Sequence, residues 1–292
     1  MSESAEAASM RVQTVATCDL CGAGDFQEVA AASPDRCRTV MCNTCGLFFA
    51  SPSLLTDAIE DFYDEEFEGD PGTNRRVEDG GIETRKVRRE ERNAGKWALP
   101  IIRGRLDVAG KRILDIRCQS GALAQVLSEH GAEVVALDPL QPNVDHARDR
   151  GTIKDVRFLP VTEYSRLDAH GLEQFDAITA MTVHTLGHLP SPKSVLRAFY
   201  GALKPGGFLF LDEKDVMSPA LGTMHSVFDT GVAHFFHFTR ESLRKYLEAV
   251  GFRVLECTID PSRKTAFRHI RIVAQKPAGE DGASVDDRTF DC

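Results

Sequence analysis

Four cysteines in two pairs carry the most specific chemical signal in this chain. Cys18 and Cys21 stand in CDLCG, Cys42 and Cys45 in CNTCG, so that C-x2-C-x20-C-x2-C emerges with a glycine after each pair. Two-residue spacing lets both sulfurs of a pair enter one tetrahedral shell, and the following glycine permits the turn that aims backbone N–H groups at sulfur. Structural zinc is the expected ion, with an iron–sulfur site or reduced thiols as rivals. Four thiolates fill a four-coordinate ion and leave no place for water, so the metal is expected to fold a ribbon rather than catalyse. Cys37 is spare in this scheme.

A second chemical signal is DIRCQSG. Asp115 ends a strand-like run, Gly121 opens a helical one, and Asp138 ends the next strand-like run, EVVALD. In a doubly wound sheet such strand ends meet a crevice, where a backbone turn supports an adenosine-bearing cofactor and the second acid accepts hydrogen bonds from ribose hydroxyls. The spacing alone leaves nicotinamide and other adenosine cofactors open. Histidines gather further along, at His184, His188, His225, His234 and His237. Imidazole titrates near neutral pH and can take a proton from an acceptor. His184, His188 and His234 are candidates for chemistry, joined by Tyr63 of DFYDEEF, which is expected to reach back over the cleft. His184, His188, His234 and His237 could instead share a second metal, although Gly187 weakens the helix this needs and the HExxH glutamate is missing.

These residues need elements to position them. From Lys111 the chain alternates: strand RILDI, helix ALAQVLSEH, strand EVVALD, a helix from about 142 to 150, strands near 156–159 and at FDAITAM, helix SPKSVLRAFYGAL, turn KPGG, strand FLFLDE. Thr239 is expected to cap a helix that Gly251 ends, and FRVLECTI and FRHIRIVA follow as strands. Such alternation predicts an α/β, Rossmann-like, doubly wound and mostly parallel seven-stranded sheet, preceded by the small ribbon. The expected divisions are a disordered tail over 1–14, a zinc ribbon over 15–50, a helical linker or cap over 51–107, the α/β domain over 108–276 and a disordered acidic tail over 277–292. Within the cap, SPSLLTDAIEDFYDEEF is expected to be helical. A charged helix from Ile82 is expected to end at Pro100.

Composition limits the partners. With 35 Lys and Arg against 44 Asp and Glu among 292 residues, the formal charge is −9, which argues against nucleic acid and anionic membranes. The chain lacks an apolar run of about 18 residues, and its first residues, MSESAEAASM, carry acids where a secretory signal carries positive charge. A cytoplasmic location, with a small-molecule substrate, is expected. The basic run RKVRREER reads as a solvated helix face with offsetting acids, or as a contact for substrate phosphates. HFFHF reads as a packed aromatic edge.

Taken in order, ILDIRCQSGALAQVL, VVALDPLQPNVDHA, FDAITAMTVHTLGHLPSP, LKPGGFLFLDE and HFFHFTRESLRKYLEAVGF resemble class I S-adenosylmethionine-dependent methyltransferases over about residues 108–275. LKPGG is the most distinctive stretch. The ribbon ahead of this region is similar to that of zinc-containing methyltransferases of sugar and surface-polysaccharide pathways. The resemblance implies methyl transfer from S-adenosylmethionine to a small polar acceptor, with a nucleotide-sugar or glycan precursor favoured. It implies that Asp138 and Pro139 lie at the ribose and Val161 and Thr162 flank the adenine. Asp115 and Gly121 would lie beneath the methionine part, Met181 or Thr182 would line the cleft, and His188 would take the family's histidine position after the fourth strand. The opening motif departs from the family, because Arg117 and Gln119 stand where glycine is expected. Arg117 would either pair with the cofactor's carboxylate or fill the pocket. Two other functions stay open: a non-catalytic Rossmann-like scaffold with a degenerate cofactor loop, and a zinc-ribbon protein acting on a macromolecule.

Overall fold

A computed structural model describes residues 11–30, 38–61, 92–181, 184–217, 234–260 and 268–279. Tyr63, Thr182, His225, Cys37, the basic run's first residues and, of the expected tails, residues 1–10 and 280–292 lie outside the described residues. The first tail was expected to reach 14, but Val12 and Gln13 form a strand paired with Leu54 and Ser53, whose backbone supplies the partners.

The sheet forms where alternation was strongest. Strands β1 (Val12–Gln13), β2 (Phe26–Ala30), β3 (Arg38–Cys42), β4 (Phe48–Ser51) and β5 (Ser53–Leu54) precede the α/β region. There β6 (Arg112–Ile116), β7 (Glu133–Asp138), β8 (Asp155–Phe158), β9 (Phe175–Ala180) and β10 (Leu203–Lys214) are followed by β11 (Phe236–His237), β12 (Arg253–Ile259) and β13 (His269–Gln275). The seven-stranded sheet has the order β12-β13-β10-β9-β6-β7-β8, with pairs from β10 through β8 parallel and the β13 pairs antiparallel. Helices α1 (Leu99–Arg103), α2 (Ala122–Glu129), α3 (Gln141–Asp149), α4 (Pro192–Ala202) and α5 (Arg240–Val250) accompany the strands. The inner strands read as nearly unbroken apolar runs because both faces are buried. One face belongs to a cluster with Ile113, Ala136 and Phe210, and the other to a cluster with Leu114, Ile178 and Leu211.

Local chemistry sets the helix ends. Thr239 accepts a hydrogen bond from Ser242 N at 3.0 Å while Ser242 Oγ accepts from Thr239 N, a reciprocal cap for α5. Leu243, Tyr246, Leu247 and Val250 form its buried stripe. Two expectations need correction. The helix expected to stop at Pro100 runs on to Arg103, because a π-turn over Ala94–Ala98 leaves Pro100 in the first turn of α1, where a missing N–H costs nothing. The stretch from Ser51 does not start as a helix: Ser53 and Leu54 pair with β1, and helix covers 56–61.

The ribbon is not a separate bead. Its sheet has the order β11-β4-β3-β2, so its last strand comes from Phe236 and His237, pairing with Phe49 and Phe48. Asp19, inside the first cysteine pair, accepts from Ser191 Oγ at 2.6 Å, Lys193 N at 3.0 Å and Tyr246 OH at 3.0 Å. Lys193 Nζ also donates to the Leu20 carbonyl. Leu20, Leu47 and Phe49 share one apolar cluster with Phe199, Phe235 and Tyr246.

Candidate functional site

Two chemical centres emerge. In the ribbon, Sγ of Cys18 stands 3.5 Å from Cys45 Sγ and Cys21 Sγ 3.6 Å from Cys42 Sγ, and all four lie within 4.8 Å of one another. Zinc bonded to sulfur at about 2.3 Å puts sulfurs about 3.8 Å apart, so the donor set fits a tetrahedral ion. The pairs are built alike: Gly22 N donates to the Cys18 carbonyl and Gly46 N to the Cys42 carbonyl, both glycines having left-handed φ of 79° and 76°. The hydrogen bond to Cys45 pulls the Cys18 thiol down to about 6, while burial pushes Cys21 up to about 11. Neighbouring thiols that cannot all ionise together are what a bound cation relieves.

The other centre lies at the carboxyl ends of β6, β7, β9 and β10. Strand β6 delivers Asp115, fully buried, whose Oδ1 accepts from Thr179 Oγ1 at 2.7 Å while Oδ2 has no hydrogen-bond partner. Burial raises its pKa to about 7. The turn after it alternates left-handed residues: φ is 52° at Arg117, 50° at Gln119 and 73° at Gly121. Side chains at the first two positions therefore have not removed the glycine-type backbone; they adopt it, at roughly 1 kcal/mol each. Gly121 serves packing: a Cβ there would meet Ala147 Cβ at 2.8 Å and Ile153 Cδ1 at 3.0 Å.

Strand β7 delivers Asp138, which accepts from Gln119 N at 2.8 Å, Leu140 N at 3.0 Å and Asn143 Nδ2 at 2.9 Å. It is 1% exposed, and burial raises its pKa while these donors and the Arg117 charge pull it down. Pro139, next to it, is buried. Arg117 is 7% exposed and points inward, its Nη1 donating to the His184 carbonyl at 3.4 Å. Its charge is felt by Asp138, His188 and Glu213. The guanidinium thus stands in the crevice.

Val161, expected to flank the adenine, is buried at the start of a 3-10 helix, Val161–His170, and Thr162 Oγ1 donates to Glu60. Met181 is 1% exposed and joins the cluster of Cys118, Ala122 and Ala177, so it sits in the core rather than on the open cleft wall where the resemblance placed it. The ends of β9 and β10 are buried on both sides, and a residue there defaults to packing.

Beside the crevice is a cavity of about 420 Å³ including its open mouth, lined in part by His184, Gly187, Glu213, Lys214, His234 and His237. His188 and His234 have ring centroids 4.1 Å apart, and His184 pairs instead with His269 at 5.1 Å. The four-histidine metal site does not assemble. Burial holds His188 well below the usual imidazole range, with the His234 and Arg117 charges adding to it, and holds His237 at about 3. Glu213 accepts from Leu186 N at 2.7 Å and burial pushes it up to about 8. Glu213, Lys214, Asp212 and His269 escaped the sequence reading. The charged DEK that closes the apolar FLFL run was the available signal for the first three; His269 had none.

Residues 89–257, more than half of the chain, match the methyltransferase-domain family, and the chain belongs to that family. A ubiquinone biosynthesis O-methyltransferase of Xanthomonas oryzae pv. oryzae strain PXO99A is 39% identical over 114 residues, covering 39% of this chain and 47% of that protein. A protein of the same name from Marinobacter nauticus is 31% identical over 166 residues, 53% of this chain and 68% of that one. The chain thus spans about half the length of the first of these relatives. Among solved structures, the [4+2]-cyclase SpnF superposes with a TM-score of 0.51 at 22% identity, covering 65% of this chain and 81% of that one, a likeness of fold alone. No helix among the described residues is long and apolar enough to cross a membrane.

Proposed function

We propose that this chain is an S-adenosylmethionine-dependent methyltransferase that acts on a hydroxyl of a small polar acceptor, with structural zinc in the cysteine ribbon. The carrying observation is the turn 117–121, which keeps three alternating left-handed residues against the acid at the end of β7 although two of the three carry side chains. A backbone strained at two positions persists where the surrounding structure requires it. The oxygen acceptor follows the names of the relatives; a nucleotide-sugar or glycan precursor is the narrower reading from the ribbon.

When bound, S-adenosylmethionine supplies an electrophilic methyl group, and this chain's residues hold, orient and shield. Asp138 would receive the ribose hydroxyls, exchanging part of its present donor set for them. Arg117 would pair with the methionine carboxylate, a charge-assisted contact its fork geometry suits. His184 and His234, which line the cavity, and His188, kept neutral by burial and packed on His234, are the groups that would receive the acceptor's proton. Proximity rather than acid–base power is expected to supply most of the rate.

A second reading has its own support: Asp138 already has three donors and Arg117 is buried in the crevice, which suits a scaffold that binds no cofactor. Calorimetric titration with S-adenosylhomocysteine separates the two. Micromolar binding that is lost in Asp138→Ala supports the transferase; silence from folded, zinc-loaded protein supports the scaffold.

A further inference from the structure

We propose a second divalent-cation site, formed by His184, Asp212 and His269 beside the histidine-lined cavity, whose wall includes His184. One ligand atom from each of the three lies within 4.8 Å of the others. They come from three places in the chain: the loop after β9, the body of β10 and the first residue of β13. Strands β10 and β13 are antiparallel, with Asp212 opposite Arg271 and Lys214 opposite His269. Asp212 and His269 are therefore diagonal neighbours on one face of the sheet, within reach of each other.

Their heteroatoms meet closely. Nδ1 of His269 stands 2.9 Å from Oδ2 of Asp212. That separation suits a hydrogen bond, and it equally suits two ligands about 2.1 Å from one ion. Both residues are buried, Asp212 at 0% and His269 at 3% exposure. His184 is less buried, its ring centroid 5.1 Å from that of His269, and it also lines the cavity. The pair inside the sheet is the fixed half of the site, and His184, on a loop, is the half that closes it by rotating its ring.

The donor set decides the kind of ion. Two imidazole nitrogens and one carboxylate oxygen suit zinc, iron(II), cobalt or manganese better than magnesium or calcium, which prefer all-oxygen shells. Three protein ligands leave positions for water or a substrate oxygen, unlike the filled cysteine site. A cation there would acidify an acceptor hydroxyl in the cavity and so ease loss of its proton. That role rests on the transferase reading above; the site itself does not.

Cobalt(II) titrated into protein whose ribbon is already loaded with zinc tests the site, read by visible absorption and by metal analysis after desalting. A second equivalent of cation per chain is expected. His184→Ala and Asp212→Asn should each weaken it at least tenfold while the ribbon's equivalent stays. A single equivalent in total, or a second equivalent that survives both variants, overturns the proposal. His184→Ala lies at the least buried of the three positions and gives a reading even if the Asp212 variant fails to fold. S-adenosylhomocysteine titrated into the same samples reports separately. Cofactor binding without the second cation removes this inference alone, and the cation without cofactor binding removes the transferase reading alone.

Discussion

At the scale of single residues, the turn after β6 shows how side-chain identity and backbone shape can part company. Arg117 and Gln119 predict, by type, a turn without positive φ, yet both are left-handed because their neighbours pin them. Cys118 N donates to the Leu137 carbonyl and Gln119 N to Asp138. Gly121 is different, since its Cβ would strike Ala147. Gly121→Ala is expected to destabilise by about 2 to 4 kcal/mol, the sum of overpacking and left-handed strain, read as a drop in the urea midpoint. Arg117→Gly should weaken S-adenosylhomocysteine about tenfold by removing the carboxylate's partner; tighter binding would show that the guanidinium obstructs. Asp115 makes a pH prediction. Its folded pKa of about 7 lies above the ordinary 3.8, so the folded state holds the proton longer than the unfolded one. Stability from this group is full below pH 3.8 and is lost as pH rises through about 7. Asp115→Asn should flatten that part of the stability curve, measured by urea unfolding across the window.

At the scale of elements, the informative contacts join the ribbon to the sheet's helices. Asp19 takes three donors from α4, its cap and α5, and no periodicity in the chain marks this. Asp19→Ala leaves Tyr246 OH and Ser191 Oγ short of an acceptor. A loss of about 1 to 3 kcal/mol is expected, with earlier protease cleavage of the ribbon than of the sheet. The helices from α2 on and the strands from β6 to β13 other than β11 were legible because apolar runs, Thr239 and Gly251 are local signals; KPGG, expected as a turn, instead lies within β10, at a break in its register with β9. The 3-10 turn at Leu186–His188 and strand β11 were not legible, being two or three residues long and held by partners far along the chain. HFFHF forms the packed aromatic edge its composition predicts: Phe235, Phe236 and Phe238 are buried, and two of its residues are also the ribbon's fourth strand.

At the scale of the whole molecule, ribbon and seven-stranded sheet share one apolar cluster, and β11 links the ribbon to the cavity that His237 lines. Removing the cation proposed for the ribbon should therefore disturb the cavity wall. Treatment with a strong chelator is expected to lower cofactor-dependent activity and raise binding of a hydrophobic dye, with zinc restoring both; unchanged activity in metal-free protein would show that the two parts are independent.

The sequence alone determined the alternation of longer strands and helices from β6 to α4, the cysteine pairs and the acids at the ends of β6 and β7, because each depends on residues close together in the chain. Tertiary structure decided which histidine meets which, that Arg117 turns inward, that Met181 is core and that Asp212 faces His269. Those outcomes depend on sheet order and on burial from elements up to about a hundred residues apart, and pairing at such distance leaves no periodic trace along a single chain.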